Sequence, residues 1–231
     1  MEDDPEFHLT SYGDVRTYVD TLESLREAAF DNPLTAGTTF TLVLKQVTLH
    51  PHGRPLPRFA AQLPETGAVY SVILDRVLQT GSGCDAWGQV WLACVTDPAS
   101  PDQVLGNIVV KLVQPSLLYH PDPTSFYQMY WTSPKKVAYT EDWAYRKLRS
   151  IQGCEIPYYY GMQTVVTPSG ECAWILAMEY VEGQTICQWL DSSHNKDSGG
   201  SLIPKDLTPE MFKKLKTLAS CVSPSLIYTY D

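Results

Sequence analysis

The sequence predicts an α+β fold: a five-stranded antiparallel sheet with one packed helix, preceded by an extension and followed by an incomplete helical segment. Three observations carry this. From Val69 onward, five runs rich in β-branched and apolar residues alternate with turn signals. One strong helix signal interrupts them after the third run. No internal repeat breaks the pattern into equal units, and 231 residues are enough to bury a sizeable core.

In residues 1–65, "DVRTYVDTLESLREAAF" places Val15, Val19, Leu22, Leu25 and Phe30 near helical spacing, bounded by Gly13 and Asp31-Asn32-Pro33. "TTFTLVLKQVTLH" reads as a strand, and "HPHGRPLPRFAAQLPETG", with four prolines, as a connector. These residues form the predicted extension. Residues 66–183 carry the sheet. "VYSVILDRVLQT" is a strand that enters a glycine cluster, "QVWLACVT" is the strand that leaves it, and "NIVVKLV" is the third. "SPKKVAYTEDWAYRKLRSIQG" is the helix, with Ser133 as N-cap, Pro134 in the first turn and Gly153 as the stop. "YYYGMQTVV" and "CAWILAMEYV" are two further strands, joined by a Pro168-Ser169-Gly170 turn. Residues 184–231 hold a polar loop, "SSHNKDSGGS", and a helix, "LTPEMFKKLKTLASCV", with Thr208 as N-cap and Leu207 placed to staple Phe212.

Composition narrows the function classes. With 44% apolar residues the chain is not compositionally disordered, and its net charge of −9 argues against nucleic acid or an anionic membrane as partner. "MEDDPEFHLT" lacks the basic and apolar regions of a signal peptide, and no apolar run approaches the ~20 residues that span a bilayer. Six cysteines without a C-x-x-C pair read as reduced and packed, so an intracellular, cytoplasmic location is expected. His50 and His52 in "LHPHGRP" fit a turn better than a metal site.

Four features carry chemistry. Gly81, Gly83 and Gly88 lie between two strands, which excludes a dinucleotide fingerprint, where a helix follows, and a Walker A loop, which needs Gly-Lys-Ser/Thr. The cluster is either a hairpin turn or a loop that covers phosphate. Lys111 sits inside an apolar strand, where it either faces water from a sheet edge or needs an opposite charge. Glu141 falls within a stripe formed by Val137, Ala144, Leu148 and Ile151, so it either pairs with Lys111 or lies in solvent beside a stripe drawn slightly wrong. Finally, "WILAMEYVEG" is an apolar strand ending in Met-Glu-Tyr-Val-x-Gly.

In this order the four features resemble the N-terminal lobe and hinge of the protein-kinase-like superfamily. Gly81, Gly83, Gly88 and Val90 match its G-x-G-x-x-G-x-V loop, with Trp87 before the third glycine, although four residues rather than two separate Gly83 from Gly88. The resemblance implies that the glycines cover the phosphates of ATP, that Lys111 contacts them, and that Glu141 positions Lys111. Val109 then stands where the family's V-A-I-K motif has alanine. Met178 becomes the gatekeeper, and backbone groups of Glu179 and Val181 bond adenine. "AYRKLRSIQG" and Ile156-Pro157 are closest to divergent fungal kinase-like proteins.

The family's catalytic Asp and Asn and the Asp of its D-F-G motif have no counterpart. His120-Pro121-Asp122 precedes the helix that carries Glu141, and Tyr127 occupies its Asn position. Asp191 and Asn195 are four apart and follow the hinge directly, and Asp197-Ser198-Gly199 lies in a polar loop. No ligand for Mg²⁺ is expected, and Asp85 adds a negative charge to the loop. The expectation is a catalytically incomplete, ATP-binding phosphotransferase lobe. The alternatives are a pseudokinase-type scaffold and a fragment of an aminoglycoside- or choline-type phosphotransferase. A cleft with only its roof leaves an apolar face exposed, so a protein partner or self-association is expected there.

Overall fold

The computed structural model describes residues 11–47, 49, 51, 53–80, 88–120 and 132–183. By internal contacts the chain divides into two compact units, Met1–Val181 and Glu182–Asp231. The helix predicted in residues 207–222 and the look-alike motifs at 191–199 lie outside the described residues.

The first unit opens with helix α1 (Tyr12–Asp31), which starts on a capping box: Ser11 Oγ accepts from the Asp14 amide, and the Asp14 carboxylate accepts from the Ser11 amide. Val15, Val19, Leu22 and Ala29 form its buried face. Six strands follow: β1 (Thr39–Leu44), β2 (Ala68–Gln79), β3 (Gln89–Asp97), β4 (Ser100–Val113), β5 (Tyr159–Val166) and β6 (Cys172–Glu179). Helix α2 (Pro134–Lys147) lies between β4 and β5 in sequence. As the sequence predicts, Ser133 Oγ caps it, accepting from the Lys136 amide at 3.1 Å.

The five-stranded kinase-type N-lobe with one helix is not what forms. Among the described residues a single antiparallel sheet of six strands, ordered β1-β2-β3-β4-β6-β5, curls nearly into a barrel, and two α-helices accompany it. The cause lies in β1, which belongs to the segment read as an extension. Its residues alternate between exposed and buried, so that Phe40, Leu42 and Leu44 all point inward. It pairs with β2 over its whole length, from Thr39 opposite Ile73 to Leu44 opposite Ala68.

Curvature and closure have identifiable sources. Register shifts interrupt the β2–β3, β3–β4 and β5–β6 pairings, and such bulges increase local twist. The two outer strands, β1 and β5, are joined by one side chain. The Gln163 carboxamide accepts from the Val43 amide at 2.8 Å and donates to the Val43 carbonyl at 3.0 Å, as a neighbouring strand's peptide group would.

Two cores result. Inside the curl, alternate residues of every strand pack together with Phe59, Ala60 and Leu63 from the connector. Gly106 has no room for a Cβ because the Phe59 ring lies against it. Outside the curl, α2 covers β4, β5 and β6 through Val113, Ala138, Tyr159, Leu176 and Met178. Phe30, expected on the α1 stripe, is 69% exposed, and Ala29 takes the inward position. No helix among the described residues is long and apolar enough to cross a membrane.

Because Leu42 is fully buried in the interior core, Leu42→Ala is expected to destabilise the protein by about 2–5 kcal/mol. Chemical denaturation measures this. A midpoint unchanged from wild type would return β1 to the status of a dispensable extension.

Candidate functional site

The candidate site is built on β4, whose residues alternate between the two cores. Ile108, Val110 and Leu112 point inward, while Val109, Lys111 and Val113 face α2. On the outer face the register forms two rows, Val90–Lys111–Leu176 and Leu92–Val109–Met178. Gly88, Val90, Val109, Lys111 and Met178 are thus gathered on or beside one face, under the helix that carries Glu141.

Lys111 Nζ lies 2.5 Å from Glu141 Oε2, an ion pair from strand to helix with side chains 20% and 24% exposed. The pairing resolves the choice left open by the sequence, since neither group stands alone in solvent. The stripe itself is displaced by one position. Pro134, Ala138 and Asp142 are the buried residues of α2, Val137 and Tyr145 pack beside them, and Leu148 is 43% exposed.

Gly88 fixes the base of the glycine loop. Its φ of +137° is rarely adopted by residues with a side chain, and a Cβ there would run into the Leu112 carbonyl and come within 3.5 Å of Lys111 Cε. Gly88 therefore sits against the β4 backbone beside Lys111. Gly81 and Gly83 lie outside the described residues, as do Asp85 and Trp87.

The end of β6 carries the residues that the resemblance places at the hinge. Met178 is buried against α2, where the Tyr145 hydroxyl donates toward its sulfur at 3.4 Å. Glu179 turns its side chain away from Lys111, onto Arg54 at 2.8 Å, and accepts from the Tyr158 amide at 3.1 Å. Its own amide donates to the Tyr158 carbonyl at 2.8 Å, so that donor is already committed. Val181 follows the strand and is 43% exposed.

Several polar groups that shape the site escape sequence reasoning. Asp142 is buried, accepts from the Tyr159 hydroxyl at 2.9 Å and pairs with Arg146 at 2.9 Å. Burial and that hydrogen bond push the Tyr159 hydroxyl well above the usual phenol range. Tyr145 stacks on Tyr159 with ring centroids 4.6 Å apart, and burial beside Glu141 raises its hydroxyl as well. A stripe drawn through Glu141 puts the neighbouring Asp142 on the solvent side. The usable signal was the four-residue spacing Pro134–Ala138–Asp142. Arg54, in the proline-rich connector, is held charged by Glu179 and also donates to the Cys154 carbonyl at 3.1 Å.

Among the described residues, two of the clefts that open on the surface are lined by neither Lys111 nor Glu141. The larger, of about 680 Å³, lies beside the last turns of α1, the facing ends of β2 and β3, and Leu117–Tyr119. The smaller, of about 560 Å³, opens at the β1–β5 seam next to Gln163. Among the described residues no group of three or more His, Cys, Asp or Glu side chains converges to hold a metal ion. No protein-family model matches the chain, and no curated protein matches it either.

Behind the larger cleft, Arg26 ties α1 to the sheet by donating to the carbonyls of Ser116 at 2.6 Å and Leu118 at 2.7 Å. His120 Nε2 lies 2.9 Å from Arg26 Nη2 and 3.1 Å from the Ser116 carbonyl. Burial and the arginine hold the His120 pKa below its ordinary value of 6.5, against the opposing pull of Glu23 and Glu171. The unfolded chain takes up this proton more readily than the folded one. The contribution is therefore present above pH ~6.5 and lost as pH falls through that value toward the folded pKa. Wild type is expected to lose more stability between pH 7 and 5.5 than His120→Gln, as read by urea midpoints. Identical slopes for the two proteins would refute the assignment.

Proposed function

We propose that this chain binds a nucleoside triphosphate, ATP, with its phosphates over Lys111. The observation that supports this is the 2.5 Å Lys111–Glu141 pair, set beneath the base of a glycine-rich loop. A lysine fixed by a carboxylate keeps its position while its remaining ammonium protons are available to an anion. At 20% exposure Lys111 is reachable from solvent yet held in one place. Val90 and Val109 supply apolar surface on the same sheet face, against which a base can lie.

The proposal covers binding and not phosphoryl transfer. The sequence offers no residues matching the family's catalytic base or Mg²⁺ ligands. Because the Glu179 amide is taken by the Tyr158 carbonyl, adenine would be bonded through the Glu179 carbonyl and the backbone groups of Val181. A scaffold reading competes with this one, and the same experiment separates them.

A thermal-shift titration with ATP, with and without Mg²⁺, tests the proposal. At ligand about tenfold above Kd the linkage is about 1.4 kcal/mol, which in a chain of this size corresponds to a rise of roughly 3–6 °C in Tm. Lys111→Ala is expected to lower the starting Tm and to abolish the shift. A wild type unmoved by ATP would favour the scaffold. Equal shifts in the two proteins would place the nucleotide elsewhere.

A further inference from the structure

The end of α1 is fastened by polar contacts more than by apolar packing. Between Glu23 and Asp31 the only buried side chain is Ala29, and Phe30 is exposed. What holds this stretch is Arg26, which reaches off the helix to the chain leaving β4. Its Nε donates to the Ser116 carbonyl, and one Nη2 proton goes to the Leu118 carbonyl. The second Nη2 proton faces His120 Nε2, 2.9 Å away.

That ring nitrogen touches two groups that require opposite things of it. Toward Arg26 it has to present a lone pair. Toward the Ser116 carbonyl, 3.1 Å away, it has to present a proton. With the ring neutral and its proton on Nδ1, the arginine bond forms. With the ring protonated, Nε2 donates to Ser116 and two cations stand side by side. Ser116 cannot shift to serve both. It is fully buried, its amide lies 2.7 Å and its hydroxyl 2.6 Å from the Glu171 carboxylate, and Gln114 holds that carboxylate in turn. Arg26 is the partner free to leave, because Glu23, Glu27, Phe30 and Asp31 around it are exposed and water can take the guanidinium. Among the described residues, the charged groups acting on the ring are Arg26 and Glu23 from α1 and Glu171 from the turn before β6. Burial and Arg26 oppose its protonation, while the Ser116 carbonyl and the two carboxylates favour it.

We propose that Arg26 and His120 form an acid-sensitive latch: a proton taken up by His120 expels Arg26 from the Ser116 and Leu118 carbonyls and frees the end of α1 while the sheet stays folded. The latch is a local device, distinct from the effect of the same histidine on global stability. It needs only the helix end, whose apolar anchorage is a single alanine, to part from the turn after β4.

Amide hydrogen exchange of the full 231-residue chain, read by mass spectrometry at pH 7 and 5.5 and corrected for intrinsic rates, tests this. Residues 23–31 are expected to exchange through an opening that barely responds to low urea. The strand β4 is expected to exchange through one that responds steeply, because only the second exposes the core. From pH 7 to 5.5 the opening of 23–31 is expected to grow severalfold. Its limit is about eightfold, set by an imidazole that titrates near 6.5 when released and stays neutral when bound. His120→Gln, whose carboxamide oxygen accepts from Arg26 without titrating, is expected to abolish this growth. Arg26→Gln is expected to leave 23–31 open to the same extent at both pH values. It is also expected to raise the titration midpoint of the His120 ring, read by NMR, which is independent of how His120→Gln packs. Exchange of 23–31 in step with β4 across the urea series overturns the proposal. So does equal growth in wild type and His120→Gln, or a His120 midpoint that Arg26→Gln leaves unchanged.

Discussion

Burial of the end of β4, Ile108–Val113, on both faces is the constraint on which the rest of the structure depends. Its inward residues, Ile108, Val110 and Leu112, complete the interior of the curled sheet, and its outward residues lie under α2. A strand covered on both sides has to be apolar throughout unless a charge within it is answered. Lys111 is that charge, and Glu141 answers it. Because the answer comes from α2, the helix is held at a fixed angular setting on the sheet. That setting turns Asp142 inward to Tyr159 and leaves Tyr139 and Trp143 outward.

The barrel interior follows from the same strand. Once one face of β4 is covered by a helix, the other must be covered by the sheet itself. The sheet supplies this by recruiting β1 and curling until β1 and β5 meet. The meeting is incomplete. One glutamine side chain spans it, and only at Val43 are both backbone groups bonded across the seam by Gln163. A carboxamide carries the same donor and acceptor as a peptide group, which is why one side chain can close an edge that a seventh strand would otherwise fill. Arg54 performs a similar task at the far end of β6, where it binds Glu179 and the carbonyls of Cys154 and Ile156 and so fastens the connector to the barrel.

Local signals made much of this fold legible. The Ser133-Pro134 start of α2, the strand on each side of the glycine loop, and the Pro168–Gly170 turn are all written in adjacent residues. The Lys111–Glu141 pair was legible for a different reason: each residue violates its own apolar pattern, and two violations of opposite sign imply each other. What was not legible depends on distant partners. Nothing within "TTFTLVL" states that it will pair with Ala68–Ile73 and close a barrel, so the strand was read correctly and its place was not. Nothing local marks Gln163 or Arg54, because the backbone groups they bond lie more than 90 positions away. Asp142 was hidden by its neighbour, since a stripe drawn through Glu141 leaves the next residue facing solvent.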